Sequence, residues 1–249
     1  MVSRRIVAII QARMGSTRLP GKVLKEIGGR PMIFYVIQRA RHISGVDEVV
    51  VATSTNEAEG PLVDYVSSLP GVGIFRGPED DVLKRYYEAA VAYSADVIMR
   101  ITGDCPLLCP RISQRVLEAY LACEPACDYA TNTKPRTYPR GLDTSVMGID
   151  TLERVRNEAS SPAHREHVTS YIWSNPDRFE WVNVADDHDR HHHRWTVDTA
   201  DDLRLIRRIY DAVGTPVPPA GYDEILAALR AHPRWQSINQ GVRQKRIDE

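Results

Sequence analysis

Three long cations and two glycines share one short stretch, Gln11-Ala12-Arg13-Met14-Gly15-Ser16-Thr17-Arg18-Leu19-Pro20-Gly21-Lys22. Glycine lets a backbone approach a ligand closely and turn N–H groups toward it. Arg13, Arg18 and Lys22 together can neutralise much of a triphosphate's charge. Two familiar phosphate loops are excluded. A Walker A loop has one residue fewer between its glycines than separates Gly15 from Gly21, and needs Ser or Thr where Val23 follows Lys22. The G-x-G-x-x-G of dinucleotide loops is absent. The plain alternative is a solvated turn, against which loop position and composition agree.

Two aspartates stand where apolar runs end. Asp104 sits in the turn Thr102-Gly103-Asp104-Cys105-Pro106, and Asp198 follows Trp195-Thr196-Val197. A carboxylate at such a point can hold Mg²⁺, which takes one or two protein oxygens and completes its shell with phosphate and water. If the two chain segments converge, they make a two-carboxylate metal site. The bland readings are a turn aspartate for Asp104 and a helix-start acid for Asp198, just ahead of Thr199.

These side chains need a scaffold. The run 6–10 is β-branched and apolar throughout, the mark of a strand buried on both faces. Pro31 opens a helix with Ile33, Val36, Ile37 and Ala40 on one face. Strands follow at 49–52, 72–75 and 97–101; Asn56 caps a helix carrying Leu62, Val63 and Val66, and Asp80 or Asp81 starts one ending at Ala92. This alternation predicts an α/β fold, a Rossmann-like, mostly parallel sheet sandwiched by helices, with ligands at the carboxyl ends of its strands. The second half reads as strands at 127–131, 142–149, 179–184 and 194–197, helices at 165–173, 199–212 and 222–231, and a proline-rich break at 215–219. We expect one domain over 1–235, with a small β-containing extension at about 128–195, then a loosely ordered polar tail, 236–249.

The loop resembles the start of the cytidylyltransferases that activate sugars and sugar acids. The likeness is greatest to the spore-coat polysaccharide (SpsF-like) branch, related to the 3-deoxy-manno-octulosonate and acylneuraminate enzymes. It continues through Gly28-Gly29-Arg30-Pro31-Met32, Gly77 with Asp81-Val82-Leu83-Lys84-Arg85, Arg100-Ile101-Thr102-Gly103-Asp104-Cys105-Pro106-Leu107, Gly141-Leu142-Asp143, Arg165-Glu166-His167-Val168-Thr169 and Trp195-Thr196-Val197-Asp198-Thr199. Each motif is weak alone; their order and spacing are specific. The resemblance implies that the loop, including Ala12 and Gly15, wraps the triphosphate of CTP, with Arg13, Lys22 and Arg18 on phosphate. It implies that Thr102 and Gly103 border the nucleotide, that Arg76 lies near the base, that Asp104 and Asp198 hold Mg²⁺, and that the protein is a homodimer.

The implied chemistry is in-line attack of an acceptor oxygen on the α-phosphorus, with pyrophosphate leaving. The protein's share is positioning and charge neutralisation by Arg13, Lys22, Asp104 and Asp198. The acceptor, small and acidic or sugar-derived, is expected to meet Asn132, Tyr138, Arg140, Asp143, Arg165, Glu166 and His167. Arg140 and Arg165 suit a carboxylate or phosphate, and Glu166 or His167 an acceptor hydroxyl. The ordinary reading of the last three is solvent-side pairing on a helix. A uridylyl- or thymidylyltransferase would carry a glycine-richer loop, and a silent nucleotide-binding module would have no use for collecting these charges.

The rest of the composition sets limits. Lys plus Arg is 32 against 33 for Asp plus Glu, so no basic excess advertises nucleic acid. No apolar run approaches the roughly 18 residues of a membrane span, and the N-terminal run reads as a strand rather than a signal peptide, so a cytoplasmic protein is expected. Cys105, Cys109, Cys123 and Cys127 have the wrong spacing for zinc knuckles and read as reduced thiols. His188, His191, His192 and His193 read as a polar loop, since adjacent side chains of a strand point to opposite faces.

Overall fold

The β-branched run that opens the chain forms β1 (Ile6–Gln11), its first five residues buried. A computed structural model describes residues 4–244. After β1 come a small hairpin, β2 (Glu26–Ile27) and β3 (Arg30–Pro31), then α1 (Met32–Arg41), β4 (Glu48–Ser54), α2 (Gly60–Ser67), β5 (Gly73–Gly77), α3 (Val82–Ala92), β6 (Val97–Thr102) and α4 (Pro110–Leu121). The second half adds β7 (Tyr129–Thr131), β8 (Ser145–Gly148), α5 (Ile149–Glu158), α6 (Pro162–Glu166), α7 (Ser170–Ser174), β9 (Trp181–Asn183), α8 (Ala200–Val213) and α9 (Tyr222–Ala231).

The main sheet has seven strands in the order β5-β4-β1-β6-β8-β7-β9, and only β8 runs against the others. Strand alternation supplies two cores. Ala8 and Ile10 pack on one face with Ile33 and Val36 of α1 and Ile206 of α8. Val7 and Ile9 pack on the other with Leu83 and Tyr86 of α3 and Val155 of α5. The strands of the second half extend the first sheet instead of forming their own.

From β1 the chain steps outward to β4 and β5, then returns to place β6 on the other side of β1. The loops leaving β1 and β6 therefore diverge, which opens a crevice at the carboxyl rim. Gly103 lets them stay close at their base: its N–H donates to the Gln11 carbonyl at 2.8 Å, and a Cβ there would lie 2.9 Å from the Ala12 Cβ. Gly141 does the same farther along. Its φ is +109°, and a Cβ would lie 2.6 Å from the Trp195 carbonyl carbon.

From α4 onward several expectations change. Helices α4 and α5 lie where no helix was expected. The helix expected at 165–173 is two short ones, α6 and α7, broken at Val168, whose φ is +45°. The segment 194–197 is extended but forms no strand. Trp195 N–H donates to Arg140 O and Val197 N–H to Asp104 O, so it is stitched to two different loops. The tail is not loose at its start: Asn239 is 5% exposed and bonded to Arg194 and Asp202. Residues 245–249 lie outside the described residues.

Gly141→Ala tests the loop contact. A side chain would combine an unfavourable φ with overlap against backbone, so we expect a loss of about 2–4 kcal/mol in urea unfolding.

Candidate active site

The cationic loop is wound on one carbonyl. Ser16 N–H and Gly21 N–H both donate to Met14 O, at 2.9 and 3.1 Å. Met14 N–H is held in turn by Glu59 Oε2 at 2.9 Å, an acid 2% exposed that also accepts from the Thr53 hydroxyl. Gly21, with φ 64°, then starts the short turn Lys22–Leu24 that sends Lys22 inward.

The Lys22 ammonium lies between the two aspartates. It donates to Asp104 Oδ2 at 2.9 Å, Asp198 Oδ1 at 2.8 Å and the Val197 carbonyl at 2.8 Å. Burial alone would lower the Lys22 pKa, but Asp104 and Asp198 outweigh it and the pKa rises. Burial would raise Asp198, yet Lys22, Arg18 and Arg194 hold it below the usual carboxylate value. Arg18 Nη2 reaches Asp198 Oδ2 at 2.9 Å, and Arg194 Nη2 reaches the same oxygen at 2.6 Å.

Around this centre lies a cleft of about 330 Å³, lined by Ala12, Arg13, Gly15, Arg18, Lys22, Thr102, Gly103, Asp104, Glu166, His167 and Asp198 among others. All eleven were expected at the site from the sequence. Arg13 is half exposed, with Glu166 Oε1 3.8 Å away. Burial, with Arg100 nearby, lowers the His167 pKa, and its ring makes no hydrogen bond among the described residues.

Six other expected residues lie outside this lining. Arg76 donates to the carbonyls of Ser54, Thr55 and Asn56, and so anchors the loop after β4. Arg165 grips Asp81 through Nε and Nη2 and donates to the Arg156 and Ala159 carbonyls, tying α6 to the start of α3. Asn132 is buried and bridges Leu142 O and Thr144 N. Tyr138 is buried, accepting from Arg115 and donating to Ala185 O. Both oxygens of Asp143 are taken by Arg136, at 2.6 Å each. Arg140 alone of the six has a side chain with no hydrogen bond among the described residues; burial and the neighbouring Arg136 lower its pKa.

Two side chains at or beside the cleft are not among the expected residues. Arg85 lines the cleft beside Val82. Its position three residues after Val82 puts both on one helical face, a signal present in the sequence. Arg194 grips Asp198, but no local pattern distinguishes it in a polar, histidine-rich stretch.

Among the described residues no group of three or more His, Cys, Asp or Glu side chains could hold a metal ion. A divalent cation here would rest on Asp104 and Asp198, whose oxygens already converge on one ammonium. That donor set, two carboxylate oxygens facing an open cleft, suits a hard cation that shares its shell with phosphate and water. The 188–193 histidines lie elsewhere: His191 bonds Asp189 at 2.6 Å, and His193, its pKa held down to about 4 mainly by burial, packs at a tilt against His192.

Comparison with known proteins finds cytidylyltransferases. A family profile described as cytidylyltransferase matches residues 7–212. The spore coat polysaccharide biosynthesis protein SpsF of Bacillus subtilis is 31% identical over 235 residues, 92% of this chain and 95% of that one. A 3-deoxy-manno-octulosonate cytidylyltransferase of Anaeromyxobacter dehalogenans is 37% identical over 107 residues, 42% of this chain and 43% of its own. The solved structure of a cytidylyltransferase from Leptospira borgpetersenii superposes with a TM-score of 0.88 at 28% identity, covering 98% of this chain and 100% of that one.

The Arg136–Asp143 pair beside the site gives a pH prediction. Burial works to raise the Asp143 pKa, but Arg136 and Arg140 hold it below its ordinary 3.8. A carboxylate whose folded pKa is depressed contributes stability above its unfolded pKa and loses it as pH falls toward the folded value. Urea midpoints of the native protein should therefore drop below about pH 4, with a shallower acid limb in Asp143→Asn.

Proposed function

Since the chain belongs to the cytidylyltransferase family, and is thus a CTP-dependent nucleotidyltransferase, we propose that it transfers CMP from CTP to a small acidic or sugar-derived acceptor and releases pyrophosphate, with Mg²⁺ held by Asp104 and Asp198. The observation that carries this reading is the meeting of Lys22 with both aspartates beneath a cationic loop at the carboxyl rim.

The residues divide the work. Lys22 has three N–H donors, and the two aspartates and Val197 O occupy them. It therefore engages phosphate by exchanging one of these partners. Arg13, exposed and loosely paired, together with Arg18 and Arg85 around the cleft, receives the triphosphate. Bound at the two aspartates, Mg²⁺ would supply charge neutralisation and orientation of phosphate oxygens. Preorganised positive charge then offsets what accumulates on the leaving pyrophosphate. His167, its pKa lowered and its ring unbonded among the described residues, accepts the proton of an acceptor hydroxyl. Arg140, with no hydrogen-bonded partner among those residues, is the cation left for an acceptor carboxylate or phosphate. The sugar-acid enzymes among the relatives support such an acceptor.

A homodimer fits the same reading, and a monomeric mass at micromolar concentration would count against it. No helix among the described residues is long and apolar enough to cross a membrane, which accords with the cytoplasmic location expected for such an enzyme.

Mass spectrometry of reactions holding CTP, Mg²⁺ and an acceptor library tests the proposal, with UTP, dTTP, ATP and GTP as competitors. A CMP- or CDP-linked product formed only from CTP supports it; turnover of another nucleotide alone overturns it. In pyrophosphate-release assays, Asp104→Ala and Lys22→Ala should each lower kcat/KM by about 10²- to 10³-fold. Wild-type rates would remove that residue from the mechanism. With a hydroxyl acceptor, kcat/KM should fall on an acid limb centred below 6.5, the ordinary value from which burial lowers His167. That limb should vanish in His167→Gln; if it persists, another group takes the proton.

A further inference from the structure

Besides Lys22 and Arg18, Asp198 is held at its backbone and at its side chain by contacts that both lead to one buried acid. Asp202 is 0% exposed. Its Oδ2 accepts the backbone N–H of Asp198 at 3.0 Å, and the N–H and hydroxyl of Thr199 at 2.9 and 3.0 Å. Its Oδ1 accepts Arg194 Nε at 3.0 Å and Asn239 Nδ2 at 2.8 Å. Arg194 then carries the connection to the Asp198 side chain, donating from Nη2 to Oδ2 at 2.6 Å. The same Asn239 amide also donates to the Arg194 carbonyl at 3.0 Å, and Arg194 Nη1 donates to Gln244 Oε1 at 2.6 Å. Backbone and side chain of Asp198 are thus both referenced to Asp202. The link between them is a planar guanidinium whose fork geometry leaves little slack.

Neither Arg194 nor Asp202 lines the cleft, so neither is placed to touch substrate. We infer that Arg194 is a positioning residue for Asp198, and that Asn239, in the segment after the last helix, holds it there through Asp202. The inference rests on Asp198 as a carboxylate for the divalent cation. A guanidinium that only neutralised Asp202 would bear on stability and nothing else. One that fixes Asp198 Oδ2 also fixes where Oδ1 points, and Oδ1 is the oxygen on the Lys22 side of the site. The effect of disturbing it is therefore felt in cation affinity before it is felt in nucleotide affinity.

Two substitutions separate these roles in the full-length protein. Arg194→Lys keeps a positive charge beside Asp202 but loses the fork that spans both acids. Asn239→Ala leaves every charge in place and releases only the far end of the network. The readout is Mn²⁺ binding by electron paramagnetic resonance at saturating CTP, alongside kcat, KM for CTP and urea midpoints, with Asp198→Asn as reference. Outer-shell partners of metal ligands are worth roughly 10- to 100-fold in metal affinity. Arg194→Lys should weaken Mn²⁺ within that range and lower kcat, with KM for CTP changed less than about threefold. Asn239→Ala should move the same way by about threefold or more, and it decides the matter if Arg194→Lys does not fold. If Asp198→Asn binds Mn²⁺ like wild type, Asp198 is not a ligand, and the functional reading of that residue fails along with the inference. If Asp198→Asn loses Mn²⁺ while both other variants keep wild-type affinity, with only lower urea midpoints, the positioning role alone is overturned.

Discussion

One ammonium group joins the parts of this molecule that chemistry needs together. Lys22 comes from the loop after the first strand, Asp104 from the turn after β6, and Asp198 from the segment before α8. No local rule brings these together. The sheet order does, by placing β1 beside β6, and the Val197 N–H then draws the third segment onto the Asp104 carbonyl at 2.8 Å. Two partly buried carboxylates side by side repel one another and favour protonation. Lys22 between them offsets that repulsion, and with Arg18 and Arg194 it holds the Asp198 pKa below the usual carboxylate value. Gly103 and Gly141 serve the same end, since each removes a side chain from a point where two of the segments touch.

The charges extend outward in a nearly balanced network. Asp104, Asp198 and Asp202 face Lys22, Arg18 and Arg194. Buried ion pairs are costly to assemble and costlier to break singly, because the survivor is left desolvated and alone. Such a cluster contributes little net stability but resists small rearrangements. That resistance suits catalysis in which geometry and charge, rather than covalent chemistry, do most of the work. A triphosphate bound in this cleft, as proposed, would meet Arg18 already paired with Asp198 and a half-exposed Arg13.

Up to β6 the fold is legible in the sequence because β1 and β4 carry continuous apolar runs and prolines or acids mark the helix starts. Asp81 caps α3 by accepting from Lys84 N, as its position before the apolar face implies. The second half is harder for physical reasons. The strands β7, β8 and β9 are three or four residues long, too short to establish a period of two. Helix α4 shows its apolar stripe only at Ile112, Val116 and Leu117, among charged neighbours. Helices α6 and α7 form one apolar-polar pattern in sequence, and only a backbone φ that a β-branched residue rarely adopts, at Val168, separates them. The tail is polar in composition, yet Asn239 is buried because its amide answers two acceptors that no apolar group could satisfy.

For the site, eleven of the residues the sequence brings forward line the cleft and six do not. Arginine illustrates why. A guanidinium has five donors and serves equally well to grip a carboxylate, to pin carbonyls or to receive a ligand, so its type says nothing about which it does. The three-dimensional structure shows how each arginine's donors are engaged. Arg76 is committed to three carbonyls, Arg165 to Asp81 and two carbonyls, and Arg194 to two aspartates and Gln244. Each spends several of its five donors within the fold, and none of the three lines the cleft. Arg13 has a single carboxylate at 3.8 Å, and the Arg140 guanidinium has no hydrogen bond among the described residues. Of the arginines expected at the site, Arg13 and Arg140 are thus the two without a hydrogen-bonded partner among the described residues, whereas Lys22, Arg18 and Arg85 would each have to exchange a partner to receive an anion.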